Sequence, residues 1–196
     1  MTKKIEDLDQ IVKETDYFNK DIAMHDSDDY FNRGNARYDL RDFDKAVEDF
    51  SMAIELNPDF PEAYNNRGNA RYDLRDFDEA VEDFSKAIEL NPNIPEAYNN
   101  RGCARTGLEE LDKAIADYSM AIKLKPDYAL AYNSRGNARG VLGELNNAIE
   151  DYTKAIELMP DFAFAYNSRG NARGVLGDTE GAKQDFAMYK QLTGSD

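Results

Sequence analysis

The chain has 196 residues, 41% of them hydrophobic and 32% charged, which is enough apolar material for a buried core and an ordinary balance for a folded domain. Its 39 acidic side chains outnumber 24 basic ones, and the net charge of −15 disfavours nucleic acid and anionic membrane as partners while favouring basic ones. No stretch approaches the roughly 20 consecutive apolar residues that cross a bilayer, so no membrane insertion is expected, and a single cysteine, Cys103, leaves no internal disulfide. The cytoplasm is the default compartment on these grounds, unless an export signal has been trimmed away.

Residues 1–26 come first and stand apart from the rest. Lys3 and Lys4 are followed at once by Glu6, Asp7 and Asp9, where a signal peptide would need apolar residues. Ile5, Leu8, Ile11 and Val12 form an amphipathic stripe, and Tyr17, Phe18 and Ile22 a second apolar group. Two readings stay open. The segment is an N-terminal helical cap over the helices that follow, or it is an interaction segment that docks into a neighbouring molecule and gives a homo-oligomer.

From residue 27 onward the chain repeats. Arg-Gly-Asn-Ala-Arg begins at Arg33, Arg67, Arg135 and Arg169, and Arg-Gly-Cys-Ala-Arg at Arg101, each 34 residues after the last. Placing that glycine at position 8 sets the units at 27–60, 61–94, 95–128, 129–162 and 163–196. Each unit predicts two helices. The first runs from about position 2 to position 14, with Pro61 and Pro95 at position 1, where a missing N–H costs a helix nothing. A turn follows, marked at Gly143-Glu144 and Gly177-Asp178 by a glycine stop and an acidic start. The second helix carries an apolar stripe, in the second unit Phe77, Ala80, Val81, Phe84, Ala87 and Ile88, and Pro58, Pro92, Pro126 and Pro160 close it in the first four units. In the last unit Lys183, Tyr189 and Lys190 replace an aliphatic residue, alanine and isoleucine, so its second helix is expected to cap the stack itself.

A 34-residue period with this helix–turn–helix pattern resembles the tetratricopeptide repeat, over residues 27–196. The resemblance implies an all-α fold, a right-handed superhelical solenoid of antiparallel helix pairs, and a non-enzymatic scaffold for protein–protein interaction. The chain departs from the family at positions 7 and 11, where arginine stands in all five units instead of a large apolar and an aromatic residue.

Position 7 shares a helical stripe with the tyrosines of position 4, so an arginine there is half buried and needs an acid. Position 23 supplies one each time. The expected pairs are Arg33 with Asp49, Arg67 with Asp83, Arg101 with Asp117, Arg135 with Asp151 and Arg169 with Asp185, in register or with the adjoining unit. Arg37, Arg71, Arg105, Arg139 and Arg173 are expected to lie along the aromatic rings with buried stems and wet heads. The other reading of both sets is an arginine ladder for acidic ligands.

In proteins that this chain resembles, positions 2, 5, 9, 12 and 13 line a concave face. Carried over, these give Asn65, Asn99, Asn133 and Asn167 after Phe31, then Asn35, Asn69, Asn137 and Asn171, with Cys103 in the third unit. Asn66 and Asn100 sit on the groove edge, and Tyr38 and Tyr72 at position 12. An amide can both donate to and accept from an extended peptide backbone, so the groove reads as an asparagine ladder; duplication of one unit would equally copy its asparagines. Net charge by unit falls from −5 and −4 to −1, −2 and 0, with −3 before the first, so a basic or basic–hydrophobic peptide fits with its basic end toward the first two units. A subclass of the family that clamps a C-terminal carboxylate needs lysine or arginine where Phe31 and Asn65 stand here, which argues against that ligand.

No catalytic constellation is present in the sequence. His25 is the sole histidine, which excludes histidine triads and multi-histidine metal sites. There is no phosphate-cradling glycine loop, Asp26, Asp28 and Asp29 lack the spacing of a calcium loop, and Cys103 reads as an accessible groove thiol with no base beside it. The expectation is therefore no enzyme, no cofactor and no metal, with another protein or peptide as partner.

Overall fold

The computed structural model describes residues 26–194. Within them ten helices follow one another: α1 (Ser27–Asp39), α2 (Phe43–Leu56), α3 (Pro61–Leu74), α4 (Phe77–Leu90), α5 (Pro95–Gly107), α6 (Leu111–Leu124), α7 (Ala129–Val141), α8 (Leu145–Leu158), α9 (Ala163–Val175) and α10 (Thr179–Thr193). Each packs mainly on its two sequence neighbours, so the helices stack as a one-dimensional solenoid of antiparallel pairs, one pair per repeat. None is long and apolar enough to cross a membrane. The segment read as a cap or docking arm, His25 included, lies outside the described residues.

Local chemistry sets the helix ends. Asp26 caps α1 by accepting the Asp29 N–H at 2.9 Å, and Pro61 and Pro95 open α3 and α5 in the first turn. The turn inside each repeat needs one residue with positive φ at position 15. Gly143 and Gly177 supply it freely, but Arg41, Arg75 and Glu109 adopt it too, at φ between 61° and 69°. The glycine signal therefore marked two of the five turns, and side chains bear the strain in the other three.

Within a repeat, the two helices meet where a glycine faces a ring. A Cβ added at Gly68 would lie 2.8 Å from Cε1 of Phe84, and the same approach recurs at Gly34 with Phe50 and Gly102 with Tyr118. Between repeats, the buried alanine and aromatic of one second helix receive the alanine of the next first helix: Ala46 and Phe50 with Ala70, Ala80 and Phe84 with Ala104, Ala148 and Tyr152 with Ala172. Burying a ring such as Phe84 completely contributes about 1.5–3 kcal/mol, so this contact carries much of each interface.

Beside that apolar contact runs a polar one. Asp49, Asp83, Asp117, Asp151 and Asp185 are 1–3% exposed. In repeats two to five the arginine at position 7 grips the aspartate of its own repeat with two parallel bonds, Nε to Oδ2 at 3.0 Å and Nη2 to Oδ1 at 2.6–2.7 Å. Arg33 holds Asp49 similarly, with Nη2 2.6 Å from Oδ1. The free Nη1 reaches back across the interface to a hydroxyl of the preceding repeat: Arg67 to Ser51, Arg101 to Ser85, Arg135 to Ser119 and Arg169 to Thr153, at 3.0–3.1 Å. Each of these guanidinium groups also lies over the position-4 ring of its repeat, from Tyr30 to Tyr166, 5.4–5.6 Å from the centroid.

The second arginine set differs from expectation. Arg37, Arg71, Arg105, Arg139 and Arg173 do not lie along rings with wet heads; each donates Nη1 to Oδ2 of the same aspartate, at 2.7–2.9 Å. One carboxylate has lone pairs for both guanidinium groups, so a single acid per repeat serves two arginines.

Gly68→Ala lowers the urea midpoint, because overpacking against Phe84 costs about 1–3 kcal/mol and outweighs the roughly 1 kcal/mol of helix propensity gained. Gly174→Ala raises the midpoint, since an added Cβ there meets only Ala182 Cβ at 4.0 Å. Asp83→Ala strands two mostly buried guanidinium groups and destabilises by about 3–5 kcal/mol. A double-mutant cycle with Arg67→Ala then gives a coupling of about 1 kcal/mol or more, and a coupling near zero contradicts the pairing.

Candidate functional site: a concave face with two unlike pockets

The same arginines that hold the helices in register fix the opposite face of α1, α3, α5, α7 and α9, where the candidate groove residues stand. The asparagines do not form a row of amides open to a ligand. Asn66 Nδ2 donates to Asn35 Oδ1 at 2.8 Å, and Asn100 Nδ2 to Asn69 Oδ1 at 2.9 Å, so these four residues bridge neighbouring repeats. Asn65 and Asn99 in turn donate to Asn66 Oδ1 and Asn100 Oδ1 at 3.2 and 3.3 Å. The Oδ1 atoms of Asn65, Asn99 and Asn133 are buried and without a hydrogen-bond partner among the described residues. What the first three repeats turn toward a ligand is therefore chiefly amide N–H, with most carbonyls spent or hidden.

The bridging stops at the fourth repeat. Ser168 replaces the position-6 asparagine and is too short to reach the Asn137 amide, while Ser134 stands in register with Cys103, which has no amide to bridge. Asn137 and Asn171 are exposed, and Asn137 Oδ1 accepts from Tyr152 Oη at 3.0 Å. Asn167 stays half-buried beside them.

Two recesses open on this face. The first, about 370 Å³, lies between repeats one and two against Asn35, Tyr38, Asp39, Asn66 and Asn69. Tyr38 packs on Phe43 with the rings tilted by 57° and centroids 5.3 Å apart, and it donates its hydroxyl to Asp73 of the next repeat at 2.6 Å, while Asp39 is exposed at the rim. Tyr72 packs on Phe77 in the same tilted way at 5.4 Å. The second recess, about 420 Å³, lies between repeats four and five, with walls of Val141, Leu145, Ala172 and Val175 and polar groups from Asn137 and Asn171. One end of the face is thus acidic and aromatic and the other apolar.

Cys103 sits between these ends. Its Sγ accepts from Tyr118 Oη at 3.6 Å, and burial pushes the thiol pKa up, so it stays protonated and is half-buried rather than an open thiol.

Ten helices in 34-residue antiparallel pairs, with a graded concave side and no strand among the described residues, define a helical-repeat protein. Sequence comparison names the class: the profile described as Tetratricopeptide repeat matches residues 61–94, 95–128 and 129–162, and one described as TPR repeat matches residues 34–75. The chain belongs to the tetratricopeptide repeat family. A search of curated protein sequences returned no match. Among solved structures, a crystal structure of MamA is 29% identical, covers 82% of this chain and 94% of its own, and superposes with a TM-score of 0.76. MamA residues 41 to the end from Desulfovibrio magneticus RS-1 is 23% identical over 89% and 99% of the two chains, at 0.79. The first repeat domain of Spaghetti (RPAP3), solved with the HSP90 peptide SRMEEVD, is 27% identical over 60% and 93%, at 0.59.

Burial and the bond to Asp73 push the Tyr38 pKa up to about 12, and burial above all pushes Tyr128 and Tyr152 to about 12 as well. The unfolded value is near 10. A phenol whose folded pKa is raised contributes its stability in full below pH 10 and loses it as pH climbs through 12. Helix content followed by circular dichroism accordingly falls between about pH 10 and 12. Tyr152→Phe shows a smaller stability difference between those limits than the parent chain.

Proposed function

We propose that the chain is a non-enzymatic scaffold that binds a peptide segment of a partner protein on its concave face, and that the segment is basic or basic–hydrophobic. The observation that carries this reading is the recess between repeats one and two, where the Tyr38 ring and the Asp39 carboxylate offer a lysine or arginine side chain both a ring face and a counter-charge, with Asp73 beside them on the Tyr38 hydroxyl. The N–H groups of Asn35 and Asn69 lie in the same recess and suit the carbonyl oxygens of an extended backbone. Because each such bond nets only about 0.5–1.5 kcal/mol, the side-chain pockets must add to it.

Likeness to the Spaghetti repeat domain supports peptide binding in general but not its ligand. That peptide is rich in glutamate and aspartate, whereas this chain carries a net charge of −15, with −5 and −4 on its first two repeats. Like charges face to face disfavour such a ligand.

Fluorescence anisotropy with labelled synthetic dodecapeptides tests the proposal. Peptides mixing lysine with leucine bind, and peptides with glutamate in place of lysine do not. Asp39→Asn with Asp73→Asn weakens binding at least about tenfold, a change of 1.4 kcal/mol, and the parent chain loses affinity more steeply with added salt. Equal binding of the acidic peptides sinks the idea.

A further inference from the structure

Position 12 of the first helix reads Tyr38, Tyr72, Thr106, Gly140 and Gly174 along the stack. In the first two repeats the tyrosine ring fills the space beside the next helix by lying on Phe43 or Phe77. In the fourth repeat Gly140 leaves that space open, and the 420 Å³ recess forms there against the fifth repeat, with Gly174 outside its lining. Packing does not demand these glycines. A Cβ at Gly140 would meet only Tyr152 Oη at 3.4 Å and one at Gly174 only Ala182 Cβ at 4.0 Å, in contrast to the blocked site at Gly68. A glycine inside a helix costs about 1 kcal/mol relative to alanine, so two of them in succession are a local disadvantage that leaves room for something else.

The walls say what that is. Val141 and Val175 are 73% and 74% exposed, and Leu130 and Phe164 stand exposed on the same helices. Asn137, which Ser168 is too short to bridge, and Asn171 present amide N–H groups at the lip of the recess. Apolar walls beside free amides suit an apolar side chain whose own backbone needs hydrogen bonds, which a lipid chain does not.

We infer that the recess between repeats four and five is a specificity pocket for one large aliphatic or aromatic side chain of a partner peptide whose basic residues extend toward repeats one and two. The inference rests on the peptide-binding reading above and gives it a second anchor. Charge fixes the direction: repeat five is neutral, while repeats one and two carry −5 and −4, so the basic residues of the peptide are drawn away from the apolar pocket. Ser168 and Asn171 on α9 and Asn137 on α7 place polar groups on both sides of the pocket, so it can read backbone and side chain together.

Random dodecapeptides displayed on phage, selected on the full chain, on Gly140→Tyr with Gly174→Tyr, and on Asp39→Asn with Asp73→Asn, test it. The double tyrosine variant restores the residue of repeats one and two, and thermal melting by circular dichroism is expected to be unchanged or raised, so loss of binding is not loss of fold. On the parent chain the selected peptides are rich in both lysine or arginine and leucine, isoleucine, valine or phenylalanine. The tyrosine variant loses the apolar enrichment and binds parent-selected peptides at least tenfold more weakly; the asparagine variant loses the basic enrichment instead. Apolar enrichment that survives the tyrosine variant overturns the pocket while leaving peptide binding intact. A parent chain that selects nothing overturns both readings. Two further results overturn the occupant: a concentration-dependent dimer in sedimentation that the tyrosine variant dissociates, which makes it a second copy, or peptide capture that appears only after residues 1–25 are removed, which makes it the chain's own N-terminal segment.

Discussion

Every interface of this stack depends on a carboxylate with almost no access to water. An isolated buried aspartate would cost several kcal/mol, and it persists here because two guanidinium groups and the bidentate geometry of one of them satisfy it. The position-7 arginine then has one N–H pair to spare, and it spends it on a hydroxyl of the neighbouring repeat. Two geometries are fixed by one residue: the angle between the helices of a repeat and the register between repeats. The concave face is the far side of those same helices, so the placement of Tyr38, Asn69 or Val141 is set by bonds that none of them makes.

This explains why the chain can depart from its family at positions 7 and 11 without losing the fold. An apolar residue at position 7 would bury area without direction, whereas the arginine fork admits few orientations. Stability from such a network is modest compared with hydrophobic packing, and the alanine–aromatic contacts supply that part. The network supplies specificity of register.

Much of the architecture was legible in the residues alone. The period, the two helices per unit and the pairing partners of Arg33, Arg67, Arg101, Arg135 and Arg169 follow from spacing and from the cost of a half-buried charge. Three things were not. The turns at Arg41, Arg75 and Glu109 carry positive φ without glycine, because tertiary packing overrides the local preference. The second arginines share an aspartate that a one-acid-one-base count assigns to the first set alone. The asparagines that spacing placed in a groove prove to hold one another across repeats, since an amide within 3 Å of another amide is satisfied before any ligand arrives. The contrast between Asn66 and Ser168, one side-chain atom too short to bridge, was the available signal in the sequence, and it takes on meaning only once neighbouring repeats are placed side by side.

The hydroxyls at position 25 have a consequence for how such a protein changes length. Ser51, Ser85, Ser119 and Thr153 each serve the arginine of the following repeat, and Ala187 stands at the corresponding place in the fifth. Any internal repeat therefore carries one forward-facing and one backward-facing half of the same joint. Excising or duplicating a whole 34-residue unit from the middle rejoins complementary halves, while a cut at any other period leaves a guanidinium group facing nothing. The joint thus makes the repeat the quantum of insertion and deletion, and it allows the distance between the two pockets to be reset in whole steps without redesigning either one.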